Sequence, residues 1–435
     1  MREASIRTRA AESKVFGVYL SLRYLPLLRE TGLEYEKFLV QLICDSVSID
    51  LDAQGVDVDF SWEGVLHGGD LQRSLAALSL KIDRRIVLFL DDAAHLGREN
   101  SSSEFFDIFR TISSRSVSCK AAIYPGVTNF GKRFDVFNDA TVIDVSRDES
   151  NQDFGPFFSS VVAARYPDLL QKFSRMRSGD IPAFLGRAVL GNMRAFVFAC
   201  NRLSGLPGTV GMPELTRCLI DLCAGYYWPL LDEVQPKLGR YEPLVDTSRA
   251  LAVAIFQACA ESRAPSVIIH RDFCQNFSKS IEVLEYAGFI AKREASRALK
   301  KGGRGPRYAV NLANLLEVVP GARLTQDLYQ QWNTFDRDDL AEIQKSSSVF
   351  EAIAMPPLPE VADLGILSSP INALAKSAIY PYGLTPKRIE ILTDAGYKTV
   401  GQVAEASDAD LMSLPLIKDA TLNRIRSVLM QAIWM

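Results

Sequence analysis

The chain has 435 residues, 48% of them hydrophobic and 23% charged, and a formal net charge of −3. That length holds about three domains at roughly 150 residues each, and the composition is ordinary for a globular protein. The near-neutral charge excludes a global basic field, so any nucleic-acid site has to be a local patch. No run approaches the roughly 18 apolar residues that span a bilayer. The seven cysteines form no C-x-x-C pair, which reads as reduced thiols in a cytoplasmic protein. Three histidines, His67, His95 and His270, do not make a zinc site by themselves.

In chain order, residues 1–14 are Arg-rich and helical in pattern, but Glu3, Glu12 and the lack of an apolar run argue against a targeting peptide. Residues 15–22 read as a strand, 33–50 and 70–81 as helices, and 85–90 as a strand buried on both faces, ending in Asp91-Asp92. A helix at 103–112 and strands at 120–124 and 140–145 complete an alternating, parallel α/β unit over 1–150. Strand signals then stop, and 151–245 reads as helices at 156–165, 167–176, 181–190, 194–203 and 212–227. Residues 246–345 follow the order helix, short strand, helix, helix, strand, basic loop, strand, which is that of a winged helix-turn-helix, and 321–345 reads as a further helix. Met355-Pro-Pro-Leu-Pro359 marks 346–380 as a linker, because proline fits neither a helix interior nor a central strand. Short helices at 385–395, 399–406, 408–414 and 420–433 occupy a small domain at 381–435.

Ile86-Val-Leu-Phe-Leu-Asp-Asp92 fits a Walker B strand, in which a buried strand delivers carboxylates to the edge of a sheet. There the first acid holds Mg²⁺ and the second polarises the attacking water. By itself it is also what any buried strand with a solvated Asp pair looks like. The next strand runs into Thr128 and Asn129, and Gly191-Asn-Met-Arg194 opens a helix in the helical unit, from which an arginine reaches a phosphate.

These elements, in this order and followed by a winged helix, resemble the origin-recognition branch of the AAA+ ATPases over about residues 10–320. The resemblance implies an α/β P-loop-NTPase-like domain, an all-α lid, a winged helix-turn-helix and a small all-α C-terminal domain. It implies ATP and Mg²⁺ as cofactors, with Asp91 as the magnesium residue, Asp92 as the water-activating acid, Thr128 or Asn129 as sensor 1 and Arg194 as sensor 2. Asp92 departs from the usual glutamate. The larger departure is that no G-x-x-x-x-G-K-[ST] loop precedes Ile86, so the α/β domain is incomplete at its N-terminus. Gly126-Val-Thr-Asn-Phe-Gly-Lys-Arg133 matches that pattern until its last position, but it lies after the acid pair. The family places its P-loop strand centrally, so the sheet is expected to have a gap, filled by sequence upstream of Met1 or by another element.

The segment from Lys292 to Arg307 holds seven basic residues against one acid and joins two strands. Its Arg293, Arg297, Lys300, Lys301, Arg304 and Arg307, with Lys279 on the recognition helix, are the candidate contacts to double-stranded DNA. A solvated charged hairpin would read the same way. Residues 384–433 resemble tandem helix-hairpin-helix domains, which offer helix-start N–H groups to phosphates and imply Lys398, Lys418 and Arg424 as further contacts. Two functions follow. One is a DNA-binding ATPase that acts on or loads a protein partner, possible as a homo-oligomer. The other is an inactive, P-loop-less adaptor or transcription regulator that binds DNA and protein. Neither calls for a membrane.

Overall fold

The structure, a computed structural model, describes residues 1–9, 13–23, 27, 30–94, 99–124, 130–173, 177–334, 338–359, 364–377 and 383–434. Arg2–Arg7 (α1) leads to Val15–Ser21 (β1), Gly32–Ala53 (α2), Gly68–Lys81 (α3), Arg85–Ala94 (β2), Glu99–Ile112 (α4), Val117–Ile123 (β3) and Val136–Asp139 (α5). The three strands form a parallel sheet in the order β1–β2–β3. The apolar run 86–90 supplies the central strand: Ile86, Leu88 and Leu90 are fully buried, as a parallel strand covered by helices requires. Leu39, Ile43 and Val47 of α2, Leu71, Leu75 and Leu78 of α3 and Phe105 of α4 close the same core.

The two edges of this sheet differ. On β1, the Gly17 N–H donates to Thr8 Oγ1 at 3.0 Å and the Tyr19 N–H to Asp50 Oδ2 at 3.4 Å, so side chains blunt the edge. Beyond β3 no further strand pairs among the described residues. The strand expected at 140–145 does not form, and Val142, Ile143 and Val145 are 66%, 71% and 84% exposed. Its β-branched composition favours extension, but a strand needs a neighbour for its backbone groups, and among the described residues no strand pairs with it.

The next stretch is helical: Phe154–Arg165 (α6), Ile181–Ala188 (α7), Met193–Gly205 (α8), and Met212–Leu222 (α9), which continues through a π turn at Cys223–Tyr227 into Trp228–Val234 (α10). The helix expected at 167–176 reduces to a 3₁₀ turn at Leu169–Lys172, and residues 174–176 lie outside the described ones. Leu244–Glu261 (α11), Ser266–Ile269 (β4), Arg271–Asn276 (α12), Ser278–Ala287 (α13), Ile290–Ala298 (β5) and Arg304–Val310 (β6) follow. After them come Leu312–Val318 (α14), Gln326–Thr334 (α15) and a strand not expected from the sequence, Leu340–Ile343 (β7). The second sheet runs β5–β6–β4–β7, antiparallel except for the β4–β7 pair.

One hydrophobic cluster spans α6 to β7, so the helical stretch and the second sheet share a core. Phe350, in the segment read as linker, joins that core by packing 5.2 Å from Phe273 and 5.8 Å from Phe277. Further along the same segment, Ile366, Ile371 and Leu374 belong to a separate C-terminal cluster. That cluster is completed by Pro386–Asp394 (α16), Val400–Glu405 (α17), Asp408–Met412 (α18) and Asp419–Trp434 (α19). No helix among the described residues is long and apolar enough to cross a membrane.

Candidate functional site

The acid pair sits where β2 leaves its regular register against β3, at a bulge between Leu90 and Ala94. Asp92 has φ 56, a left-handed conformation that aspartate tolerates better than most residues but that still costs energy. Its carboxylate is fully engaged. Arg23 grips it from both sides, Nε at 2.8 Å from Oδ2 and Nη2 at 3.0 Å from Oδ1. Ser21 Oγ donates to Oδ2 at 3.1 Å and Tyr124 Oη to Oδ1 at 3.3 Å. Asp91 accepts a hydrogen bond from Tyr19 Oη at 2.9 Å. The parallel register that sets Ser21 beside Asp91 brings the end of β1 to this site, so Arg23 arrives two residues later.

Burial, reinforced by the Asp91 hydrogen bond, pushes the Tyr19 phenol up to about 12. Burial opposes the charge on Arg23, but the hydrogen bond and charge of Asp92 outweigh it and hold the guanidinium above its usual value. Both groups therefore keep one protonation state at neutral pH. Among the described residues no cluster of three or more His, Cys, Asp or Glu side chains is placed to hold a metal ion. Thr128 and Asn129 lie outside the described residues. Arg194 is exposed in the first turn of α8, next to Tyr226, and makes no ion pair with Asp91 or Asp92 among the described residues.

The basic hairpin is built on β5 and β6. Gly302 and Gly303 turn the chain with φ 94 and 84, and a Cβ at Gly305 would collide with the Ile269 carbonyl of β4. Lys300, Lys301 and Arg304 are exposed at the tip. The other arginines are not placed as expected. The Arg293 side chain is 3% exposed and forms a buried ion pair with Glu149, with Nη2 2.6 Å from Oε2 and Nε 2.9 and 3.0 Å from the two oxygens. Arg307 is 2% exposed and pairs with Glu294 at 2.7 Å. Arg297 is held between Glu294 and Asp338. Lys279 pairs with Glu282 at 2.9 Å. Arg293 and Arg307 therefore leave the set of candidate DNA contacts: each guanidinium is buried and paired with a carboxylate.

In the C-terminal cluster Lys398 and Lys418 are exposed and Arg424 is half-buried. The first hairpin does not offer its N–H groups outward. Gln402 Oε1 accepts from the Lys398 N–H at 2.6 Å and from the Thr399 N–H at 3.1 Å, while Thr399 caps α17 in return. Arg426, which sequence reasoning did not single out as an anchor, ties Asp408 and the Val403 and Ala406 carbonyls together.

Six cysteines are buried and Cys274 is half-buried, all of them free. His67 and His270 sit at helix starts, His270 Nδ1 accepting from the Asp272 N–H at 3.3 Å, while His95 lies outside the described residues. Compared with protein-family models the sequence matches none, and no curated protein matches it.

Proposed function

We propose that the chain is a DNA-binding protein of origin-recognition-like architecture that serves as an adaptor, placing a protein partner on duplex DNA without turning over nucleotide. The observation that carries this reading is the exposed trio Lys300, Lys301 and Arg304 at the tip of a hairpin. That hairpin follows α11, β4, α12 and α13 in the order of a winged helix-turn-helix. Three exposed cations around a glycine turn are suited to phosphates and to a minor groove. Three parallel strands ending in an acid pair, followed by a helical unit, support the ATPase-like scaffold.

The site as arranged does not fit Mg²⁺ and ATP. Both oxygens of Asp92 are taken by Arg23, Ser21 and Tyr124, and Asp91 is held by Tyr19. No hydrolytic step is derived from it. A titration of the full chain with duplex DNA in the absence of nucleotide tests the reading. Saturable binding that falls steeply with salt is expected, and none at low salt would end it.

One observation favours the second reading, an ATPase completed by an additional strand. Beyond β3 no further strand pairs among the described residues, and Val142, Ile143 and Val145 are exposed, which is compatible with the missing strand that the family resemblance implies. An equilibrium titration with ATP and Mg²⁺ separates the two. The adaptor reading predicts no saturable binding. Saturable binding that disappears in Asp91→Ala would support the ATPase instead.

A further inference from the structure

The helix that would enter a groove is covered. Along α13, Ile281, Leu284 and Ala287 face the core. Lys279, Glu282 and Tyr286, spaced i, i+3 and i+7, form another stripe. A recognition helix needs such a stripe clear. Here the Lys279 and Glu282 side chains are 20% and 17% exposed, and Lys279 Nζ lies 5.3 Å from the centre of the buried Tyr241 ring. Tyr286 packs on Tyr124, at the end of β3, with ring centroids 5.5 Å apart. Tyr124 donates to Asp92, and Asp92 is gripped by Arg23. A second tie fastens the same region, because the buried pair of Glu149 with Arg293 joins the segment after α5 to β5.

We propose that this is an autoinhibitory contact: the α/β unit holds the Tyr286 end of the groove-facing stripe of α13 through Tyr124, while Tyr241 of the helical stretch covers Lys279, and the helix seats in DNA more readily once the Tyr124 contact opens. The inference rests on the DNA-binding reading. Gln275 and Asn276 at the end of α12 and Ser278 at the start of α13 stay exposed, enough to touch a phosphate but not to seat the helix. The strained backbone of Asp92 belongs to the same device: a left-handed residue fixed by an arginine, a serine and a tyrosine is over-determined, and its ties hold the Tyr124 ring in place. The apparent DNA affinity is then the intrinsic affinity multiplied by the fraction of molecules that are open. Loosening the contact raises affinity without adding any group that touches DNA.

The test is duplex binding and amide hydrogen exchange on the full chain with Tyr124→Ala. Affinity is expected to rise at least about fivefold, and exchange over 278–287 to accelerate. Tyr124→Phe removes only the hydroxyl that anchors the ring to Asp92, and is expected to shift both readouts less, in the same direction. A folded Tyr124→Ala with unchanged or lower affinity would overturn the proposal. If that variant does not fold, unchanged exchange over 278–287 in Tyr124→Phe overturns it equally. The triple variant Lys300→Ala, Lys301→Ala, Arg304→Ala is measured beside them. Weaker binding there with no response at Tyr124 sinks the autoinhibition alone. Unchanged binding there sinks the DNA-binding reading, and hydrogen exchange still decides whether Tyr124 holds α13.

Discussion

Replacing Arg293 with alanine is expected to destabilise the chain by about 3–5 kcal/mol, because it leaves a buried carboxylate without its partner. The Glu149 and Arg293 side chains are 2% and 3% exposed, and the guanidinium also donates to the Arg147 carbonyl at 3.4 Å. Burial works against the charge of Arg293, and Glu149 more than offsets it. Glu149→Ala is expected to cost a similar amount for the mirror-image reason. The double replacement Glu149→Leu with Arg293→Met removes both charges and keeps the volume, and is expected to lie close to the parent. Denaturant titration of the four proteins checks this. A loss under about 1 kcal/mol in either single variant would mean that the pair is solvated and that Arg293 is free to meet DNA after all.

The triple variant Lys300→Ala, Lys301→Ala, Arg304→Ala is expected to weaken duplex binding at least tenfold at about 0.15 M salt, and to flatten the slope of log K against log salt by roughly 2.7, at about 0.9 for each phosphate no longer neutralised. The weakening should be nearly uniform across DNA sequences, since cations that meet phosphates position the protein without reading bases. The fold should be unaffected, because all three side chains are exposed; Arg304 contributes only hydrogen bonds to Ser296, at 2.9 Å to its hydroxyl and 3.1 Å to its carbonyl. Anisotropy titrations over a salt series measure both quantities. An unchanged slope would remove the hairpin from the interface.

The parts of the fold that are set locally were readable from the sequence. The apolar run 86–90 gave β2, helical spacing gave α2 and α3, and the basic stretch gave a hairpin between two strands. What depends on distant partners was not. β7 is four residues long and owes its existence to β4, 74 positions upstream when Leu340 is paired with Ser266. The segment 140–145 has the composition of a strand but pairs with no strand among the described residues. Phe277 separates α12 from α13, and its ring turns into the core against Phe350, a contact that only the distant partner supplies.

The same division holds at the site. Asp91 and Asp92 stand out in the sequence, but Arg23, 69 residues before Asp92, does not. The count of basic residues from 292 to 307 was correct as a count. It gave no sign that Arg293 would be claimed by a glutamate 144 residues away, or Arg307 by Glu294 across the hairpin. A charge run in a sequence records how many cations are present, while the number left for DNA is settled by which carboxylates fold against them.

Photo-crosslinking to duplex DNA from single positions tests the central claim most directly. A crosslinker placed at Lys301, at the hairpin tip, is compared with one at Leu80, which is 80% exposed on α3 of the α/β unit. The account predicts a DNA adduct from position 301 that fades as salt rises, and little from position 80. Adducts of equal yield at both positions, or none at 301, would contradict it.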